Sequence, residues 1–211
     1  MTSNTDVSLA QLSHVLRGPL AAVSTLSILP EVVPDTSLIE QVTRMNTMLS
    51  QATLLEVLQS EEPQLNDIVY IADCIQSVFA EVAEMAASKS IELVATTSDF
   101  RLRGNEALLE RMLLELVVNA IQASPSETTV RVLAYTHAEG FRLQVADSGR
   151  GIADFTAAQL PFIRSTDSDG AGLGLPLARA IAEQHGAVLQ HQFDDQQGSS
   201  VVINLSKSRV I

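Results

Sequence analysis

Several short runs in this chain carry residues able to do chemistry. The earliest is Leu12-Ser13-His14-Val15-Leu16-Arg17-Gly18-Pro19-Leu20. At about 100° per residue the apolar stripe centres near Leu9, Leu16 and Leu20, which turns His14 to the wet face of its helix. An imidazole with an ordinary pKa of about 6.5 is largely unprotonated at neutral pH, so an exposed His14 is a competent nucleophile toward a phosphoryl group. A bland surface histidine would sit there too. Further along, Glu115 and Asn119 lie one helical turn apart within the apolar run Glu115-Leu116-Val117-Val118-Asn119-Ala120. Two polar side chains sharing one face of such a run point to a site rather than plain core, a solvated helix edge being the alternative. Asp147-Ser148-Gly149-Arg150-Gly151-Ile152 follows a β-rich run; its glycines let backbone approach a ligand closely, although Asp and Gly also dominate simple turns. Gly170-Ala171-Gly172-Leu173-Gly174-Leu175-Pro176 leads into a helix whose free N–H groups and dipole favour phosphate. Pro176 suits a first turn, where its missing donor is harmless.

The elements that must position these residues can be read from periodicity. Ser8 to about Leu29 is helical, Pro30 and Pro34 close a loop, and Asp35 or Thr36 can cap a second helix. On that helix Leu38, Val42, Met45, Leu49 and Ala52 repeat as in a coiled-coil seam. Two helices and a short loop make an antiparallel hairpin, and its apolar stripes predict a second copy completing a four-helix bundle. Glu61-Glu62-Pro63-Gln64 reads as a hinge. Beyond it the pattern predicts a helix over Tyr70 to Ser88, strands over Ile91 to Thr97 and Phe100 to Arg103, and a helix over Asn105 to Ala123. A hairpin of Thr128 to Thr136 with Phe141 to Asp147 follows, then a helix from Leu173 to Gln184 and strands Val188 to Phe193 and Ser200 to Leu205. The expected fold class is α+β: a helical hairpin over residues 1–62, then an α/β two-layer sandwich over residues 63–211.

The His14 segment resembles the H-box of two-component sensor histidine kinases, S-H-E-L-R-T-P-L, departing from it only at Val15 and Gly18. The Glu115 segment resembles the N-box of the GHKL family, which unites gyrase, chaperone, mismatch-repair and histidine-kinase ATPases. The Asp147 and Gly170 segments resemble its first and second glycine boxes, Pro161-Phe162 its phenylalanine box and Gly198-Ser199 its closing glycine box. The likeness runs from Leu9 to Leu205, and the order of the motifs is more specific than any one of them. It implies the catalytic core of a protein-histidine kinase with ATP and Mg²⁺ as cofactors and His14 as phosphoacceptor. It further implies that Asn119 coordinates the magnesium of the triphosphate and that Glu115 holds a metal-bound water or acts as base. By the same resemblance Asp147 accepts the adenine amine, Ser199 binds adenine through water, and Gly149, Gly151, Gly170, Gly172, Leu173 and Gly174 line the nucleotide. Ser165 to Ala171 would form a lid that is mobile without nucleotide.

The two departures fall on functional positions. A carboxylate directly after the histidine would orient the ring and act as base; Val15 does neither, and such assistance is typically worth about 10²- to 10⁴-fold. Autokinase activity is therefore expected to be slow. An alternative is a histidine phosphotransfer protein that takes phosphate from another protein and keeps ATP binding as a relic. A third reading, a nucleotide-gated ATPase or anti-sigma serine kinase, is opposed by the H-box hairpin. Gly18 stands where Thr or Asn would position water, which implies weak or absent phosphatase activity. The expected partners are an aspartate on the receiver domain of a response regulator, a second copy, and either a separate sensor subunit or an upstream sensor domain missing from this sequence.

Composition narrows the field. The chain has 211 residues, 46% of them hydrophobic, and carries 13 Lys plus Arg against 25 Asp plus Glu for a net charge of -12. A core is affordable, and nucleic acid and anionic lipid are poor partners for such a field. Without Trp and with two Tyr it lacks base-stacking platforms. The lone Cys74 fits a reducing, cytoplasmic setting and is expected to be buried and without a role. No run reaches the roughly 20 apolar residues of a membrane span, and Met1 to Ala10 has no signal-peptide pattern.

Overall fold

A computed structural model describes residues 36–98, 101–138, 140–163, 171–194 and 198–206, with backbone alone for 36–39. The first helical segment and His14 lie outside the described residues.

Helix α1 (Thr36–Ser60) ends where the hinge was expected, and β1 (Asp67–Tyr70) begins after it. Then come α2 (Ile71–Glu81), α3 (Ala83–Ser88), β2 (Glu92–Thr97), β3 (Arg101–Gly104), α4 (Glu106–Ala123), β4 (Thr129–His137), β5 (Gly140–Asp147), α5 (Phe155–Ala158), α6 (Gly174–Gln184), β6 (Val188–Asp194) and β7 (Gly198–Ser206). Five strands form a mixed sheet in the order β2-β4-β5-β7-β6, with β2 parallel to β4 and the other neighbours antiparallel; β1 and β3 pair separately.

Alternation decides which face is covered. Val130, Val132 and Ala134 on β4, Phe141, Leu143 and Val145 on β5, and Val201, Ile203 and Leu205 on β7 are buried. Against them lie the apolar faces of α4 (Leu109, Met112, Leu113, Leu116, Val117, Ala120, Ile121) and α6 (Leu177, Ala178, Ile181, Ala182). Burying each large aliphatic contributes about 1.5–3 kcal/mol. This is the two-layer arrangement the sequence predicts. Helix α4 starts at Asn105, whose side chain accepts the Leu108 N–H at 3.0 Å, a standard N-cap. It stops where the Lys89 ammonium donates to the carbonyls of Ile121, Gln122 and Ser124, closing three acceptors that the helix end leaves open. His185 is buried for structural reasons: Nδ1 meets the Ile181 carbonyl at 2.8 Å and Nε2 accepts the Asn105 N–H at 3.2 Å.

The seam expected on α1 is divided. Met48, Ala52, Leu55 and Leu58 are buried, and Leu58 accepts the Gln184 side-chain amide of α6 at 2.9 Å. Val42 and Leu49 stay 42% and 41% exposed. The helix is apolar on more than one face, and Ala52 belongs to the face that packs on α6 rather than to the open one.

Candidate functional site

Asp147 ends β5 and pairs with Ser199 across the β5–β7 ladder, so both reach the end of the sheet together. Asp147 is 9% exposed, and its Oδ1 accepts the Gly149 N–H at 2.8 Å. Burial pushes its pKa above the ordinary value, while the Gly149 N–H, the Ser199 hydroxyl and nearby His191 pull the other way. His191 Nε2 lies 3.2 Å from Ser199 Oγ and 3.4 Å from the Ile152 N, and its ring stacks on Phe155 at 5.3 Å and 21°. Burial lowers the pKa of His191, and Asp147 raises it. Gly198, at φ +85°, is required here: a Cβ would stand 2.2 Å from the Asp147 carbonyl oxygen.

The second half of the site lies on α4. Asn119 is half-buried and Glu115 is 5% exposed. Gly174 opens α6 directly against them, since a Cβ there would meet Glu115 Oε2 at 2.8 Å and Asn119 Nδ2 at 3.3 Å. The N-terminus of α6, with its unpaired N–H groups, thus abuts a carboxamide and a carboxylate. Glu115 is already engaged. Gln51 of α1 donates to Oε1 at 3.0 Å and Oε2 at 2.8 Å, and Arg111 pairs with Oε1 at 2.5 Å.

One cleft of about 2790 Å³ contains Asp147, Gly149, Gly151, Ser199, Asn119, Glu115, Gly172 and Gly174, and α1 contributes Arg44, Thr47 and Gln51 to its wall. That exceeds the roughly 300–1,000 Å³ of a small-molecule site, so a ligand can extend from the sheet end to the face of α1. Of the residues expected from sequence, Asp147, Gly149, Gly151 and Ser199 gather at one end, and Asn119, Glu115, Gly172 and Gly174 at the other. Leu173 differs: its side chain is 1% exposed and fills the core, leaving only backbone for a ligand. Gly170 and most of the expected lid lie outside the described residues, as does His14. At the edge of that stretch Phe162 takes φ +65° and donates its N–H to the Gly172 carbonyl at 3.0 Å, tying the phenylalanine segment to the glycine loop. Cys74 is buried, as expected, and desolvation followed by Glu110, Glu106 and Asp73 pushes its thiol up to about 12, which disfavours the thiolate.

Sequence reasoning missed Gln51, Arg111, Phe155 and His191. For His191 a signal existed: it sits two residues from both Leu189 and Phe193, so strand alternation turns it to the helix-covered face. No such signal marks Gln51, whose partner is distant in the chain.

The donor set fits a magnesium triphosphate. Among the described residues no group of three or more His, Cys, Asp or Glu could cage a metal, and Mg²⁺ is ordinarily held by one or two protein oxygens together with phosphates and waters. Asn119, beside the start of α6, could supply such an oxygen. Glu115, with both oxygens taken, suits an outer role better than direct ligation. At the sheet end, an ionised Asp147 could accept a hydrogen from an amine.

Residues 104–209 match the family described as histidine kinase-, DNA gyrase B-, and HSP90-like ATPase. The sensor histidine kinase ZraS of Escherichia coli strain K12 is 28% identical over 207 residues, covering 92% of this chain and 44% of that protein. Among solved structures, the Acinetobacter baumannii histidine kinase AdeS superposes with a TM-score of 0.77 at 19% identity, covering 95% of this chain and 98% of that one. Histidine kinase ThkA, solved in complex with the response regulator protein TrrA, gives 0.72 at 18% identity, covering 94% and 60%. The structural likenesses confirm the fold, and the chain spans less than half the length of ZraS. With the matched family covering half of its residues, the chain belongs to the histidine kinase-, DNA gyrase B- and HSP90-like ATPases.

Proposed function

We propose that this chain is the catalytic core of a protein-histidine kinase: it binds Mg-ATP in the cleft, moves the γ-phosphoryl group to His14, and passes it to an aspartate of a response regulator's receiver domain. The observation that carries the reading is the convergence of Asp147 and Ser199, from the sheet end, with Asn119 and the start of α6 on a single cleft walled by α1. Asp147 accepts the adenine amine. Asn119 would supply an oxygen to a magnesium ion accompanying the phosphates, whose charge neutralisation would ease the transfer, and the N–H groups opening α6 would bind phosphate oxygens. Bound Mg-ATP supplies the phosphoryl group and neutralises charge as it departs. A ring nitrogen of His14 bonds to the γ-phosphorus while the bond to the β-phosphate oxygen breaks, ADP leaves, and the ring proton passes to water because Val15 cannot take it. Positioning and electrostatics do most of the work in such a transfer.

The division at residue 62 belongs to this proposal: α1 ends at Ser60 and β1 starts at Asp67. So does a homodimer, supported by the exposed Val42 and Leu49 at heptad spacing on α1. The receiver partner is supported by the ThkA–TrrA complex. Within the described residues no helix is long and apolar enough to cross a membrane, and we place the reaction in the cytoplasm.

Incubation with γ-labelled ATP and Mg²⁺ tests the proposal. Acid-labile label should appear on the wild type and vanish in both His14→Gln and Asn119→Ala. Nucleotide binding without label would favour the phosphotransfer reading, and phosphate release independent of His14 would favour a plain ATPase.

A further inference from the structure

We propose that His191 is a positioning residue for the glycine loop of the cleft: as a neutral ring it accepts the Ile152 N–H and pins that end of the loop to β6, and protonation of the ring releases the loop and weakens nucleotide binding. The inference rests on the nucleotide reading above.

The loop that lines the cleft from Ser148 to Ile152 is held at two points. At its start the Gly149 N–H donates to Asp147 Oδ1 at 2.8 Å, and at its end the Ile152 N–H donates to His191 Nε2 at 3.4 Å. Between them Gly151, at φ +74°, lies against the neighbouring side chain of β6, since a Cβ there would stand 2.6 Å from Phe193 Cδ2. The far side of the His191 ring stacks on Phe155, which opens α5 just beyond the loop. One imidazole therefore joins β6, the glycine loop and α5.

A backbone N–H can only donate, so Nε2 must carry its lone pair, and the single proton of the neutral ring sits on Nδ1. The Ser199 hydroxyl, 3.2 Å away, is drawn to the same lone pair. A second proton would go to Nε2. Two N–H groups would then face each other, and the half-buried Ile152 N–H would lose its acceptor. Burial lowers the pKa of His191, with Asp147 at the end of β5 opposing, so the ring is neutral at pH 7 and takes its proton only below the ordinary histidine range. Of the other charged groups on the segments packed around it, Arg150 and Asp154 in the loop and Asp194 at the end of β6 are exposed, and Ser199 on β7 is uncharged. Affinity for a nucleotide held by this loop should thus be full at neutral pH and fall as pH drops through the titration of His191.

His191→Phe keeps a ring on Phe155 and removes the acceptor, whereas His191→Gln offers a carbonyl oxygen that accepts and does not titrate. Wild type and both variants should be titrated with Mg²⁺ and a non-hydrolysable ATP analogue from neutral to mildly acidic pH, with melting temperatures read alongside. Asp147 and the triphosphate titrate in all three proteins, so differences between the profiles isolate the ring. At neutral pH His191→Phe should bind roughly three- to tenfold more weakly, the worth of one hydrogen bond, and His191→Gln should recover most of that loss. On acidification the wild type should converge on His191→Phe while His191→Gln stays above both. Wild-type and His191→Gln profiles that run parallel would overturn the proposal, as would a His191→Gln no better than His191→Phe at neutral pH. The wild type alone gives a second reading: by reciprocity, bound nucleotide should displace the NMR titration of the His191 ring to lower pH by the same three- to tenfold factor, and an unmoved titration would also overturn the proposal. A wild type that binds no nucleotide at any pH would overturn the nucleotide reading itself, and the inference with it.

Discussion

The Asp147 carboxyl ends a strand with its pKa raised by burial, so the charged form that would accept an amine is the form folding disfavours. A carboxyl whose folded pKa lies above its unfolded value contributes its full stability below the unfolded pKa and loses it as pH rises through the folded one. Asp147→Asn should therefore melt higher than wild type at neutral pH, with the gap narrowing as pH falls into the carboxylate range. ATP should bind at least roughly tenfold more weakly to it, because an amide nitrogen can replace an acceptor oxygen. Scanning calorimetry across that range checks the first point; a variant that melts lower than wild type at neutral pH would contradict it. Asp147, Gly149, Gly151 and Ser199 were legible in the sequence because close backbone approach demands glycine at fixed spacings from a polar residue. His191 was legible only in part: its alternation with Leu189 and Phe193 assigns its face, but that it stands beside Ser199 follows only from the register of β6 with β7. Leu173 was read as a ligand residue, and its side chain lies in the core.

At the scale of elements, α1 and α4 meet through a buried polar contact, Gln51 donating to both oxygens of Glu115. Gln51→Leu removes those donors and leaves the Arg111 ion pair on a nearly buried carboxylate, at a cost of about 1–3 kcal/mol. For a chain of this size that lowers the melting temperature by roughly 2–4 °C per kcal/mol. The same change should speed amide exchange along α1; unchanged exchange would mean the contact does not hold the helix. Long periodic elements such as α4 and α6, and the β4–β5 hairpin, were readable from the sequence to within a residue or two. The helix expected over Tyr70 to Ser88 instead breaks at Val82 into α2 and α3. Strand β1 was missed because Asp67 to Tyr70 is too short to alternate convincingly and runs straight into α2; only its pairing with β3 makes it a strand. Helix α5, a single turn capped by the Asp154 side chain, is likewise set by one hydrogen bond rather than by a period.

For the whole molecule, a net charge of -12 opposes binding of a polyanion. A triphosphate can be held only where the helix dipole of α6 and a cation outweigh that field locally, and on the proposed reading Asn119 shares that cation. The fold class and the order of the motifs were legible because each motif announces its own element. How α1 seats on α6 was not, since a helix apolar on two faces does not declare which neighbour takes which face. The most direct test of the account is a calorimetric titration with a non-hydrolysable ATP analogue, with and without Mg²⁺, on wild type and Asn119→Ala. The account predicts one site per chain whose affinity depends on Mg²⁺, and a loss of roughly tenfold or more in Asn119→Ala together with most of the Mg²⁺ dependence. Equal affinity with and without Mg²⁺, or an Asn119→Ala chain that binds as the wild type does, would contradict it.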